Sequence, residues 1–547
     1  MKQIYSFIVF SVILFLPIFL YSQNNLVLPE YSVSGRYLND QIAADTAADG
    51  THDTTRVYVL NRNGLYKVNG SINNNGWTLR IRASYDAGFL PYIILVPGSG
   101  QTLVPAQMIL AGGKVYLTNL QVSGYNETVP STISTMNVSI VTNNATNNDI
   151  VVDSCIFSNV VRGILWMNIN ARFVKVTHSI FANNGYLGNN DIGNGRAIDL
   201  RAGSCDTLFV QNNTFVNTQD RLIRHYVSTG PLKYFLFDHN TVVNNMSFHG
   251  FIGLGLMNAA GGSQAIITNN LLLDPFALGN DTDAVRQVEF ADNHELDTYG
   301  RSRMVWFAAI PEPTTQWTIQ KNYYGISAEQ QAFYDANASA GVTGEGLALP
   351  WHINAKIGID SQTAFVKVPL TMTKAPAVMT AMMNWYRSPT GAHKTKLNSS
   401  WTLAYDWNRI SYVYLTDTLN CNFKCNTNLS AAATDAKVIG DTRWSWTGAV
   451  GVENAATQVP AKFSLDQNYP NPFNPSTNFT FSVAKTGLVS LKVYDLLGRE
   501  VATLVNEVKE AGNYPIEWNA AGFGSGIYFC KMQSGSFTAT KKMILMK

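Results

Sequence analysis

Charge is scarce in this chain: Asp, Glu, Lys and Arg together make up only 14% of its 547 residues. The 39 basic residues barely exceed the 37 acidic ones, leaving a net charge of +2. So small a surplus supplies no basic field for nucleic acid. Long apolar runs are missing too; beyond the N-terminus no segment is apolar enough to span a bilayer. No glycine-rich phosphate loop stands between a strand pattern and a helix pattern. Cysteine is sparse and odd in number, and five thiols cannot all pair within one chain. Cys421 and Cys425 are close enough in sequence for a local disulfide in an oxidising compartment. Cys155, Cys205 and Cys530 sit in apolar strand contexts and read as buried thiols.

What is abundant is glycine, at 41 residues, and aromatic side chains, at 12%. With the many Asn and Thr residues, this composition suits an extracellular all-β protein and fits a helical enzyme poorly. The N-terminus agrees. Lys2 precedes an apolar run from Ile4 to Leu20, and Ser22-Gln23 offers a small, polar exit. That order describes a cleaved secretory signal over 1–23, with no Cys after it to carry a lipid. Residues 24–54 form a lead-in, and no transmembrane segment is expected once the signal is removed.

The centre of the chain repeats. Six segments share one frame, opened and closed by apolar residues: Val152–Phe157, Val176–Phe181, Val210–Phe215, Phe237–Val242, Ile267–Leu272 and Ile319–Tyr324. Their fourth positions are Cys155, Ser179, Asn213, Asn240, Asn270 and Asn322. Successive segments lie 24, 34, 27 and 30 residues apart, and then 52. Stacked coils account for such spacing, because equivalent side chains then lie above one another and a recurring Asn can satisfy buried turn backbone. The frame resembles that of pectate-lyase-like right-handed parallel β-helices. The resemblance covers about half the chain, from about 55 to 327, with Asn63–Gly70 and Gly112–Leu120 similar to opening coils. Residues 328–450 read as a continuation or an appended domain, starting with a short helix near Ala328–Ala340. Their ending, Ile439–Trp444, looks like the close of uncharacterised domains found behind secreted β-helices.

The resemblance also suggests where chemistry would sit. In that superfamily the substrate cleft runs along the strand set that here includes Gly163–Asn168, Arg196–Ala202, Arg221–Ser228, Gly250–Asn258 and Arg303–Ile310. Alternation places Ile198, Leu200, Ile223 and Val227 inward. Asp199, Arg201, Arg224, Tyr226 and Trp306 then share an outer face. Aromatic rings stack on sugars, and guanidinium forks pair with uronate carboxylates. By analogy with the family, Arg224 is the candidate base of a β-elimination and Asp199 a candidate Ca²⁺ ligand, with Arg201, Tyr226 and Trp306 on the substrate. No cluster of three stacked acidic residues supports the metal, and a merely solvated charged face explains the same residues.

The last segment follows a linker at 451–461. Asn468-Tyr469-Pro470-Asn471-Pro472-Phe473 crowds prolines that no central strand tolerates. Short alternating runs broken by Gly498 and Gly526 follow, and Lys541-Lys542 stand near the end. This stretch, within 462–547, resembles the type A C-terminal sorting domain of type IX secretion cargo from Bacteroidetes-type bacteria. The resemblance implies a small immunoglobulin-like β-sandwich, recognition by the type IX machinery, and release or display outside the outer membrane. The expectation is therefore an all-β protein: a right-handed parallel β-helix followed by that sandwich. Its function is expected to be polysaccharide binding at the cell surface. A lyase acting on uronate glycans, or an adhesin without a sugar ligand, are the alternatives.

Overall fold

The computed structural model describes 24–46, 51–124 except 102, 139–185 except 161–162, 195–225 except 201, 232–245, 252–254, 262–275, 314–336, 353, 357–376, 419–449, and 462–546 except 469–470 and 472. The chain divides into two compact units, 1–450 and 451–547.

The first unit is a parallel β-helix. A complete coil contributes one strand to each of three all-parallel sheets, which hold ten, ten and seven strands among the described residues. One coil runs through Asp149–Asp153, Ile156–Ser158 and Gly163–Met167. The next begins at Ala171–Thr177, in register with the strand below. The parallel stack starts earlier than position 55, because Asn24–Leu28 pairs residue by residue with Arg56–Leu60. The short helix in the expected 328–340 region spans Ala328–Ala336.

Inward columns are apolar in every sheet. Ile72, Ile109, Val141, Leu165, Ile198, Ile223 and Ile252 succeed one another in the seven-stranded sheet, each at most 2% exposed. Phe157, Phe181 and Phe215 stack in the core with ring centroids 5.5 and 4.9 Å apart. Parallel strands covered on both faces need such continuous apolar columns.

The repeated frame marks the corner between the two ten-stranded sheets. Its third residue turns left-handed at each coil: Ser154, His178, Asn212, His239, Asn269 and Lys321 have φ between 48° and 59°. Its fourth residue forms a ladder. Ser179 N donates to Asn213 Oδ1 at 2.9 Å, Asn213 N to Asn240 Oδ1 at 3.0 Å, and Asn240 N to Asn270 Oδ1 at 2.8 Å. Each Asn Nδ2 also donates to a carbonyl, as Asn240 does to Val210 O at 2.9 Å. These amides satisfy buried turn backbone that would otherwise cost about 1–3 kcal/mol per group. A second left-handed column, Asn159, Asn183, Asn217, Asn244 and Asp274, follows at the next corner.

Part of the region behind the repeats covers one sheet. Strands Leu370–Lys374 and Asn420–Cys425 form an antiparallel pair. With Leu429, Ala433 and Ile439 they bury Ile180, Ala182, Val216, Val243 and Leu271 on the outer face of the second ten-stranded sheet. Thr214 Oγ1 donates to Asp441 Oδ2 at 2.7 Å, and Trp444 Nε1 to Thr214 Oγ1 at 2.7 Å. All five cysteines are buried free thiols, so Cys421 and Cys425 do not form the local disulfide their spacing allowed. They occupy one face of a strand four residues apart, and an extended strand separates such positions by roughly 13 Å, far beyond disulfide reach.

The second unit is a β-sandwich. Ser464–Leu465, Ser476–Val483 and Gly512–Asn519 form one antiparallel sheet. Glu500–Lys509, Gly487–Asp495, Gly526–Ser534 and Phe537–Leu545 form the other. Phe479, Phe481, Leu491, Val493, Trp518, Met532 and Met543 fill the space between them. The Asn/Pro segment is pinned to the last strand. Asn471 Nδ2 donates to Lys542 O at 3.1 Å, its Oδ1 accepts from Ile544 N at 2.8 Å, and Phe473 is buried over the core. Asn468 is also buried and donates to Thr477 Oγ1 at 3.0 Å. Gly526 pairs with Leu545, Lys541 with Cys530, and Lys542 with Phe529 on the neighbouring strand. Tyr469, Pro470 and Pro472 lie outside the described residues.

Candidate functional site

The expected alternation on the seven-stranded sheet is present. Ile198 and Ile223 join the core, while Asp199 and Arg224 face the other way and pair in register. Their column runs Thr142, Trp166, Asp199, Arg224, Gly253. The face differs from an open groove, however: Asp199 is 0% and Arg224 4% exposed. Arg201, Tyr226 and Trp306, expected beside them, lie outside the described residues.

The buried charges hold one another. Arg224 donates from Nε to Asp199 Oδ1 at 2.9 Å and from Nη2 to Asp199 Oδ2. Arg196 leans on the same carboxylate at 3.5 Å and on Asp220 at 2.8 Å. Arg221, also buried, packs against Gly253, where an added Cβ would lie 2.2 Å from its Nη1. Burial lowers Arg196 to about 10, opposed by the Asp220 carboxylate, and it stays cationic at neutral pH. Among these five side chains the arginines outnumber the aspartates by one. His225 Nε2 lies 3.1 Å from Ser204 Oγ at the edge of the cluster.

This arrangement alters the two chemical expectations. A guanidinium that donates twice to one carboxylate is fixed in place with those hydrogens already engaged, so Arg224 is placed to position rather than to abstract a proton. Calcium takes about six to eight oxygens, whereas both Asp199 oxygens already accept from arginine. Among the described residues no group of three or more His, Cys, Asp or Glu could hold a metal ion. The donor set does not fit Ca²⁺.

An open aromatic surface lies elsewhere, on the outer face of the first ten-stranded sheet, where sequence reasoning did not look. Phe173, Phe209 and Tyr234 are half-buried on three successive coils, with ring centroids 5.6 and 5.1 Å apart. Tyr116, Val151, Leu236 and Ile266 extend the strip. Lys175 stands in register between Val151 and Phe209. Lys114 and Arg172 share the single carboxylate of Asp149, at 3.1 and 2.6 Å. The surface is therefore aromatic and locally cationic. Its signal in the sequence was Arg172-Phe173-Val174-Lys175-Val176, where apolar residues occupy both parities of one strand and a single buried face cannot take them all.

His178 and His239 share one frame position but serve as corner supports. His178 Nδ1 lies 2.9 Å from Asp153, and His239 Nε2 lies 3.1 Å from Asp435 of the covering segment. Burial works against the charge of Asp153, yet hydrogen bonds from Thr177, His178 and Ser154 hold its carboxyl below the usual range.

No curated protein matches this chain. Residues 467–546 match the secretion system C-terminal sorting domain family, and the antiparallel sandwich behind the parallel β-helix is that domain, which sends this type IX secretion cargo to the cell surface or the extracellular space.

Proposed function

We propose that the exported β-helix binds polysaccharide, with an acidic glycan lying along the Phe173–Phe209–Tyr234 strip. One observation carries the reading: half-buried aromatic rings contact one another on consecutive coils, next to cations that outnumber their carboxylate partner. Sugar rings stack on aromatic side chains, and uronate carboxylates pair with Lys and Arg. Coils about 4.8 Å apart repeat these features along the helix axis, which suits a polymer better than a small molecule. The Asp199–Arg224 pair then acts as a rigid support within the fold.

The test is binding of the secreted protein to a panel of uronate and neutral polysaccharides, by affinity electrophoresis or calorimetry. Retention on uronate polymers that weakens with salt is expected. Failure to bind any of them would leave a sugar-independent adhesin. The lyase alternative predicts a 4,5-unsaturated product absorbing in the ultraviolet; the committed geometry of Arg224 argues for no absorbance rise, with or without Ca²⁺.

A further inference from the structure

The sorting sandwich exposes two adjacent leucines at one turn. Leu496 is 67% and Leu497 77% exposed, between strands Gly487–Asp495 and Glu500–Lys509. The turn is held firmly. The Asp495 carboxylate accepts from Leu497 N at 2.9 Å, Arg499 N at 3.0 Å and Arg499 Nε at 2.7 Å. Gly498 takes φ 77°, a conformation that disfavours a side chain. A turn built this rigidly, with its largest apolar groups pointing into water, gains nothing for its own core.

The surface continues beside the turn. Tyr494 and Phe529 pair across strands on the outer face of the four-stranded sheet, both half-buried. They line a cleft of about 340 Å³ with Asp495, whose carboxylate is taken up by the turn and Arg499, and with Leu496, Gly498, Lys531 and Thr540. Lys542 pairs in register with Phe529, and neither Lys531 nor Lys542 has a carboxylate partner among the described residues. The result is an apolar knob beside an aromatic cleft with a basic rim.

We propose that this surface is where the secretion machinery takes hold of the sorting domain, with Leu496 and Leu497 entering an apolar pocket whose rim carries carboxylates. The occupant follows from the domain's role: the sandwich must be recognised during export, and here apolar exposure and unpaired positive charge coincide on a rigid element. The proposal is independent of any glycan ligand.

The experiment uses the full chain in a host with type IX secretion, comparing external and periplasmic protein. Leu496→Ser/Leu497→Ser is expected to cut the external fraction about ten-fold or more, with folded protein retained inside. Lys531→Glu/Lys542→Glu is expected to cut it several-fold. Leu488→Ser removes a leucine 59% exposed at the far end of the same strand and is expected to export normally. Normal export of both the knob and the rim variants overturns the proposal. If the knob variant does not fold, as read from its melting curve, the rim variant decides alone, and normal export again overturns it. Loss of a concentration-dependent dimer with unchanged export would assign the surface to a second copy instead and equally overturn it.

Discussion

Two outward faces of one β-helix treat their side chains in opposite ways. On the seven-stranded sheet, outward Asp199 and Arg224 are sealed from water and bonded to each other. On the first ten-stranded sheet, outward Phe173, Phe209 and Tyr234 remain half-open. The difference runs against simple hydrophobicity, since charge is hidden and aromatic surface is left in water. Hidden charge is costly unless paired, and Asp199 here is held by two arginines, one of them twice. Open aromatic surface is costly unless something covers it. The sealed face therefore answers to stability, and the open face is the one on which the proposed glycan would lie.

The contrast breaks most visibly at Asp199. Asp199→Ala strands Arg224 and loosens Arg196 in a buried setting, and should cost about 3–5 kcal/mol. A urea midpoint for the β-helix transition measures it. Asp199→Leu/Arg224→Met replaces both charges together and should return to within about 1–2 kcal/mol of the parent. If the single substitution leaves stability unchanged, the face is not sealed as described. Next in size is the neutral ladder. Asn240→Ala removes the acceptor of Asn213 N and the donor to Val210 O, for a loss of about 3 kcal/mol in the same measurement.

These two sites also mark how far the sequence could be read. The Asn frame was legible because its apolar flanks keep phase through six coils, and the stacked turns then follow from chain geometry. The inward and outward parity of Ile198–Asp199 and Ile223–Arg224 was legible for the same reason, since alternation depends only on the strand. Burial of the outward residues was not, because it depends on what lies over the sheet, and alternation carries no information on that. The covering strands Leu370–Lys374 and Asn420–Cys425 show the same limit. They cover coil residues from Ile180 to Leu271 that lie far earlier in the chain, just as Asp441 bonds Thr241 across 200 residues, and no local pattern announces such a contact. The tail was the most legible part, because its Asn/Pro segment and glycine turns carry, in order, the resemblance to a sorting domain that the match over 467–546 bears out.

A buried charge without a counterion sharpens the rule about pairing. Asp274 occupies the last place in the Asn159–Asn244 column. One of its oxygens accepts from Ser327 N at 2.8 Å and the other has no partner. Burial raises its carboxyl from 3.8 to about 6, with Ser327 opposing and Glu329 adding to the rise. A folded-state value above the unfolded one favours the protonated fold. Its contribution is present in full below about 4 and is lost as pH climbs through about 6, amounting to roughly 2–3 kcal/mol. Asp274→Asn should flatten that stretch of a stability–pH curve measured between pH 4 and 7. An unchanged slope would mean the carboxyl ionises freely in the fold.

The smallest effect tests the open face. Phe209 touches Phe173 on one side and Tyr234 on the other, yet its own ring is only half-buried. Removing it opens no enclosed cavity, so Phe209→Ala should shift the urea midpoint by less than about 1.5 kcal/mol, well short of the usual penalty for an enclosed ring. Against a bound glycan the same change removes one stacking platform, worth about 0.5–1.5 kcal/mol, or up to roughly ten-fold in affinity. Lys175→Ala should act in the same direction on a uronate polymer and leave a neutral one unaffected, because only the former meets its charge. The two faces then separate cleanly: Asp199 variants move stability, and Phe209 variants move binding. Should Phe209→Ala bind every polymer as the parent does while the parent binds well, the glycan lies on another face.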